Sequence, residues 1–419
     1  MVAGGARSRL RTHLPTALLV ALTLGLLGTW TVEAASRLAS PQPRGDFRHF
    51  YNAAQAMASG GELYTPHEEA YVYPPLFAFL LLPLGRLEYR TAGTIFFALN
   101  VALTLAALVL TIREACRRWQ ILLDARLLAG ATCLTLLVLS EQCRWELALG
   151  QSDTWTLLGV VCGLLLLDRW PIAAGAALGF AANIKYQTLL FLPYLLVRGR
   201  LRASAGLVAG ALLFAMIPAT VRGWERNAQD LGTALAGVTG GAAERIHVND
   251  VRWYLSVSLT SALARAVAPE GGGGGRILLA AGAAAGLVLV GVVLVYRRAG
   301  VRFLGRTQGD GVVLAEWMAV VAAFLLFGTS VTKRHLFLLL PLMASAVLLL
   351  LRPAPGAGRR PLLIGLLAFT LAVRLPPNVR VGEGAARFWK EIGGPSWGVF
   401  VLFFVFLWTA LRRESPRKT

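Results

Sequence analysis

The sequence predicts an all-α fold: a chain of apolar helices that crosses a membrane many times. Three observations predict it. Of 419 residues, 56% are hydrophobic and only 15% charged, against about 25% charged in ordinary soluble domains. Apolar runs close to the roughly 20 residues that cross a bilayer recur from end to end. The short alternating segments of a membrane β-barrel are absent, and backbone groups inside hydrocarbon must be satisfied internally, which leaves the helix. Roughly eleven to thirteen spans are expected at that length per crossing.

The net charge of +19 would suggest a nucleic-acid partner in a soluble chain. Here the basic residues stand in short clusters between apolar runs, as loop anchors do. The bilayer is therefore an expected partner and nucleic acid is not. The four cysteines, Cys116, Cys133, Cys143 and Cys162, lie in or beside apolar runs without a C-x-x-C pair, so neither disulfide nor metal use is expected.

The elements follow in order. The stretch "ARSRLRTHLPTALLVALTLGLLGTWTVEAAS" has the parts of a signal peptide, but its apolar portion, residues 14–32, exceeds a usual h-region. It reads as an uncleaved first helix after a cytoplasmic tail, 1–13. Positive-inside reasoning runs back from the cytoplasmic tail 413–419. It places 352–361, 296–306, 197–202, 168–171 and 111–120 inside. The turns 145–154, 183–187, 328–335 and 376–396 and the long segment 222–275 then fall outside, as does loop 36–73. Helix 91–111 runs inward. Segment 74–88, "PPLFAFLLLPLGRLE", is left without parity and is short for a span, so a re-entrant or interfacial helix is expected there. The run "GGGGG" at 271–275 reads as a flexible linker. The whole, 14–412, is expected to be one domain of the cell membrane.

Polar chemistry thus gathers on the expected outer face. In "GDFRHFYNAAQAMASGGELYTPHEEAYVYPPL" (45–76), Phe47, Phe50, Tyr51 and Ala54 share one helical face, with Asp46 at the N-cap or first turn. Asp46 is either a solvated loop residue or a held general base. Tyr71 and Tyr73 suit an interfacial belt, and Pro74–Pro75 a helix start. In "GQSDTWTLL", Gln151, Ser152 and Asp153 either bind a sugar or cap the next helix; capping is the stronger physical reading. Lys185, in "AANIKYQTLLFLPYLL", is either functional, as a charge at such depth usually is, or snorkels to the interface. Lys333, Arg334 and His335 put positive charge on the outer side, against the trend, which asks for an anionic partner such as a lipid-linked phosphate. "ERIHVNDVRWYL" (244–255) adds Asn249 and Arg252 as binding candidates. Walker, G-x-S-x-G, H-E-x-x-H and kinase signatures are absent.

Taken in order, "GDFRHFYNAAQAMASGGELYTPHEEAYVYPPLFAFLLLPLGRL", "ALGQSDTWTLLGVVCGLLLL" and "AAGAALGFAANIKYQTLLFLPYLLVRGR" resemble glycosyltransferase family 87 over residues 45–200. These are GT-C membrane enzymes that use polyprenyl-phosphate sugars, and they include α-mannosyltransferases of mycobacterial envelope glycolipids. The resemblance implies a GT-C fold with an extracytoplasmic active-site loop after helix 1. It implies that Asp46 matches the family's catalytic aspartate, with Tyr73, Gln151 and Lys185 at its other motifs. The family's histidine-bearing C-terminal stretch is matched in "TSVTKRHLFLLLP" only at His335, with Lys333 and Arg334 in neighbouring places, and its later polar run at Asn249. The implied donor is a polyprenyl-phosphate-linked sugar, mannose first and arabinofuranose second. The implied acceptor is a lipid-linked sugar or glycan. The displacement is inverting, with Asp46 as base, His335 with Arg334, Lys333 and Lys185 as candidates to meet the leaving phosphate, and no cofactor or metal. A flippase for the same lipid is the alternative of a different class.

Overall fold

A computed structural model describes residues 3–40, 45–64, 71–239, 250–303, 309–353, 359–375 and 383–414. Those residues are helical almost throughout, with no strand among them. Seven helices are long and apolar enough to cross a membrane: Leu14–Ala39, Tyr89–Arg118, Leu201–Arg222, Gly274–Ala299, Asp310–Phe327, Arg334–Leu351 and Gly394–Glu414. Helices Ser140–Leu149 and Asp153–Leu166 form a pair bent by 116° that counts as an eighth if it is one broken span. Three further apolar helices, Ala125–Val138, Pro171–Ala182 and Tyr186–Val197, are shorter. At 1.5 Å per residue a helix of about 13 residues reaches only about 20 Å, less than the hydrocarbon thickness of about 30 Å. The chain is a multi-pass membrane protein built partly from full-length and partly from short apolar helices.

Small residues let some of these helices touch backbone to backbone. A Cβ added at Gly175 would lie 2.0 Å from the Ala203 carbonyl, and one at Gly210 would lie 2.6 Å from the Ala176 Cα. Pro171–Ala182 and Leu201–Met216 therefore pack through Gly175 and Gly179 against Gly206 and Gly210, the small-xxx-small contact that replaces the hydrophobic drive in lipid. The centre is filled by Trp317, Phe191 and Phe337, all buried. Trp317 lies 4.4 Å from the Phe191 ring, and its indole donates to the Val160 carbonyl at 3.1 Å.

Three segments depart from the sequence reading or refine it. The first helix runs on to Ala39, through the start of the expected outer loop. Segment 74–88 forms two short helices, Pro75–Leu80 and Leu82–Gly85, not a span. The glycines at 271–275 are only partly a connection: Gly271, Gly272 and Gly273 lie outside the helices at positive φ, while Gly274 and Gly275 are the first turn of helix Gly274–Ala299, because the apolar run that follows draws them into the helix.

The bundle has two chemically different ends. At one, Arg118 pairs with Glu114 at 2.6 Å and Asp168 at 2.8 Å, and Arg200 joins Asp168 at 3.0 Å. Arg352 meets Asp124 at 3.2 Å, and Arg413 donates to the Trp119 carbonyl at 3.1 Å. These come from the loops read as one face by their charge. Helix Tyr89–Arg118 leads from there, over about 27 Å between Asn100 and Arg118, toward the other end. Helices Asp153–Leu166 and Arg334–Leu351 also begin at that other end and finish at the arginine-rich one.

Candidate active site

The site is assembled at the second end from four stretches far apart in sequence. Asp46 occupies the N-cap position of helix Phe47–Ala58, with φ −73° and ψ −22°. Its backbone carbonyl accepts from His49 at 3.0 Å, but its side chain makes no cap. The carboxylate points across the bundle: Oδ2 accepts from Gln151 Nε2 at 2.6 Å, and Oδ1 lies 3.5 Å from the Arg334 guanidinium. It is about a third exposed, so water and a substrate can reach it.

Local structure explains the aim of Asp46. The expected buried face of its helix is present, with Phe47, Phe50, Tyr51 and Ala54 all buried. Phe50 meets Phe77 edge-on at 4.8 Å, Phe47 lies 4.9 Å from Phe96, and Phe96 stacks on Trp155. Aromatic pairs of this kind contribute about 0.5–1.5 kcal/mol each beyond area burial and hold the loop on the bundle. Two glycines permit the crossing. Gly150 ends helix Ser140–Leu149 at φ +67°, and a Cβ there would sit 2.6 Å from the Phe47 Cβ. Gly45, at φ +142°, leaves no room either: its Cβ would stand 2.7 Å from the Leu149 carbonyl oxygen. Only glycine fits both.

Gln151 is held from behind. Trp155 Nε1 donates to Asn100 Oδ1 at 3.0 Å, and Asn100 Nδ2 donates to the Gln151 carbonyl at 3.1 Å. The capping expected of Ser152 or Asp153 does not occur: Ser152 stands at the N-cap with no side-chain cap bond. The orphan amide is taken instead by Glu146 on the preceding helix, whose Oε1 accepts from the Thr154 backbone at 2.8 Å and the Thr154 hydroxyl at 3.0 Å. Asp153 is thereby released to pair with Lys185, which lies in an extended residue between two short helices. Lys185 does not snorkel; its side chain is 11% exposed and Asp153 is fully buried.

Tyr73 completes this side. Its phenol faces Lys185, Asp46, Ser152 and Asp153, and burial pushes its pKa up, partly offset by Lys185, so it stays a neutral donor. Its backbone is fixed by Tyr64, whose hydroxyl donates to the Tyr73 carbonyl at 2.7 Å, and by Tyr71, whose hydroxyl donates to the Pro74 carbonyl at 2.7 Å. His335 is in the 3₁₀ turn Arg334–Leu339 and lines one small cavity with Lys185. Its Nδ1 accepts from the Thr332 amide at 3.2 Å, which assigns the neutral ring's proton to Nε2.

Asp46, Tyr73, Gln151, Lys185, Arg334 and His335 therefore share one site. Lys333 and Arg252 do not join it. Lys333 turns the other way, donating to the Val373 carbonyl at 2.6 Å, and burial lowers its pKa. Alternate side chains of a tight turn diverge, so three adjacent basic side chains cannot all face one anion. Arg252 pairs with Asp250, whose pKa it lowers, and reaches the Ala268 carbonyl at 3.2 Å. It lines an apolar groove of about 890 Å³ with Leu263, Leu287, Phe388 and Trp397. Asn249 lies outside the described residues. Sequence reasoning missed Glu146 and Asn100; Asn100 is a polar side chain inside an apolar helix, which was its available signal, whereas Glu146 stands among Glu141, Gln142 and Arg144 in a polar helix and had none. Among the described residues no group of three His, Cys, Asp or Glu side chains is placed to hold a metal ion.

A helical, multi-pass membrane protein that gathers an accessible carboxylate, a lysine and a histidine at one end of its bundle is the class these features define. The chain belongs to glycosyltransferase family 87: the model of that family matches residues 71–307, more than half the chain. The protein is thus a membrane glycosyltransferase. The matched region holds Tyr73, Gln151 and Lys185, while Asp46, Arg334 and His335 lie outside it and are joined to it in space. The crystal structure of ArnT from Cupriavidus metallidurans in the apo state is similar over 96% of this chain and 77% of that chain, at 16% identity and a TM-score of 0.44. No curated protein matches.

Proposed function

We propose that the protein moves a hexose, mannose, from a polyprenyl-phosphate carrier to a lipid-linked or glycan acceptor at the extracytoplasmic face. The observation that carries this reading is the carboxylate of Asp46, about a third exposed, gripped by Gln151 and beside Arg334, at the end of the bundle opposite the arginine-rich loops. By the positive-inside trend those loops are cytoplasmic and the site is outside.

In the reaction Asp46 accepts the proton of an acceptor hydroxyl, whose oxygen attacks the anomeric carbon. The bond from that carbon to the phosphate oxygen breaks, and its electron pair leaves with the polyprenyl phosphate. One carboxylate and one displacement invert the anomeric centre. A retaining route would need a second carboxylate about 5 Å away as nucleophile, and Asp153, a candidate on the same side, is buried against Lys185. The leaving group gains a negative charge. Arg334 offers it a bidentate fork, Lys185 a point charge, and His335 an Nε2 proton. No metal or cofactor is needed in this scheme.

The carrier's chain has a place to lie. The apolar groove at Leu263, Leu287 and Trp397 runs between helices Leu259–Val267, Gly274–Ala299 and Gly394–Glu414. Its inner wall is tied to the site's own segment, since the Val257 amide donates to the Val331 carbonyl at 2.6 Å and Ser261 Oγ to the Thr329 carbonyl at 3.1 Å. A flippase would need functional polar groups along a path through the membrane; Asp46, Tyr73, Gln151, Lys185, Arg334 and His335 gather at one end. The test supplies membranes with and without the protein with radiolabelled polyprenyl-phosphate mannose, then with the arabinofuranose donor. Protein-dependent label in a new lipid or glycan from the mannose donor is expected. Transfer from the arabinose donor alone would replace the sugar, and transfer from neither would remove the reading.

A further inference from the structure

Another cavity, of about 930 Å³, opens at the same end of the bundle, and the reaction scheme above does not use it. Its walls are Glu62 and Tyr64 from the loop after the Asp46 helix, Arg222 at the end of a membrane span, and Trp224, Gln229 and Asp230 from the amphipathic helix Trp224–Thr239. We infer that this cavity is the subsite for the sugar residues of the acceptor, a polyhydroxylated glycan chain that enters with its reacting hydroxyl toward Asp46. The inference rests on the glycosyltransferase reading.

The chemistry of the lining selects that class of ligand. The accessible planar groups of the lining are the carboxylates of Glu62 and Glu225, the Arg226 guanidinium and the Gln229 amide, each of which can meet two neighbouring hydroxyls at once. Trp224, 67% exposed, offers a flat apolar face to the C–H side of a sugar ring. An apolar lipid chain would gain nothing from Glu62, Gln229 and Asp230, and a phosphate would face three carboxylates, Glu62, Glu225 and Asp230, against Arg226 and an Arg222 already held by Asp230. The volume lies within the roughly 300–1,000 Å³ of small-molecule pockets.

The cavity is built, not incidental. The Arg222 side chain is 1% exposed, yet its guanidinium is fixed on both sides: Nε donates to Asp230 at 2.8 Å and Nη1 to the Gly61 carbonyl at 2.7 Å. That arginine clamps the loop of the Asp46 helix to helix Trp224–Thr239. Tyr64 links the cavity to the reacting centre, because it is a wall of the one and donates its hydroxyl to the Tyr73 carbonyl of the other.

The test reads binding without turnover. Full-length Asp46→Asn protein in lipid nanodiscs is probed by saturation-transfer NMR with mannotriose, maltotriose, galactotriose and arabinofuranotriose. Gln229→Ala and Thr233→Trp are then introduced separately; both positions are at the cavity surface, and the second fills the space without removing a charge. The inference expects saturation transfer to at least one trisaccharide, weakened about tenfold or more by either change, the loss expected for one to two hydrogen bonds. Transfer to none, or transfer that survives both changes, overturns it. Because no donor is present, a failed donor assay with intact, cavity-dependent trisaccharide binding would sink the proposed reaction and not this subsite.

Discussion

Gln151 Nε2 donates to Asp46 Oδ2 at 2.6 Å across 105 residues of chain, and the two side chains meet only because Gly45 and Gly150 let their backbones touch. The contact turns a loop aspartate into an oriented one. Gln151 acts through Asp46, so it is a positioning residue. Gln151→Leu is expected to lower kcat roughly ten- to hundredfold, the value of about 1.5–3 kcal/mol for a hydrogen bond to a charged group, with donor KM little changed. Gln151→Asn, which retains an amide on a shorter stem, is expected to recover part of that loss. Steady-state kinetics of the three proteins check it, and an effect confined to KM would argue for a substrate contact instead.

Gly150→Ala is expected to destabilise the protein by about 1–3 kcal/mol, since it places a side chain at positive φ and drives a Cβ into Phe47. Activity should fall further than stability does, because the substitution separates Asp46 from Gln151. Thermal unfolding in detergent alongside transfer at a temperature where the variant remains folded measures the two effects separately.

Lys185 and Asp153 form a buried ion pair. Removing one partner leaves an uncompensated buried charge, at a cost of about 3–5 kcal/mol. Lys185→Met is therefore expected to unfold early, and Lys185→Met with Asp153→Leu to regain most of the stability. If Lys185 also meets the leaving phosphate, the double variant stays inactive though folded. Recovered activity in the double variant would reduce Lys185 to a structural cation.

The side of the membrane is open to a direct test. Ser59 is exposed near the site and Arg169 is exposed at the arginine-rich end, while none of the native cysteines is exposed. In intact cells a membrane-impermeant maleimide is expected to label Ser59→Cys and to reach Arg169→Cys only after permeabilisation. The reverse pattern would invert the topology.

Much of the site was legible in the sequence because polar residues stand out in an apolar chain: Asp46, Tyr73, Gln151, Lys185, Arg334 and His335 each interrupt or border a hydrophobic run, and the structure brings all six together. What was not legible depends on which helix ends abut. Capping by Ser152 or Asp153 was the better local expectation, yet a carboxylate from the preceding helix, Glu146, satisfies the Thr154 amide and leaves Asp153 to a lysine 32 positions on. The clamp of Arg222 on Gly61 joins positions 161 apart and has no local signature. Lys333 shows the converse: adjacency to Arg334 suggested one anion site, but the tight turn sends its side chain to Val373. Helix lengths were the least legible part, because an apolar run does not tell a full span from a short helix packed through glycines.

The most direct measurement compares wild type with Asp46→Asn for transfer from radiolabelled polyprenyl-phosphate mannose in the same membranes. The amide keeps the shape and can still accept from Gln151, but it gives up the charge facing Arg334 and cannot take a proton. The account predicts a loss of about 10²–10⁴-fold, the contribution of a general base, with the variant folded and inserted as wild type is. Transfer by Asp46→Asn at the wild-type rate would contradict it and remove Asp46 as the base.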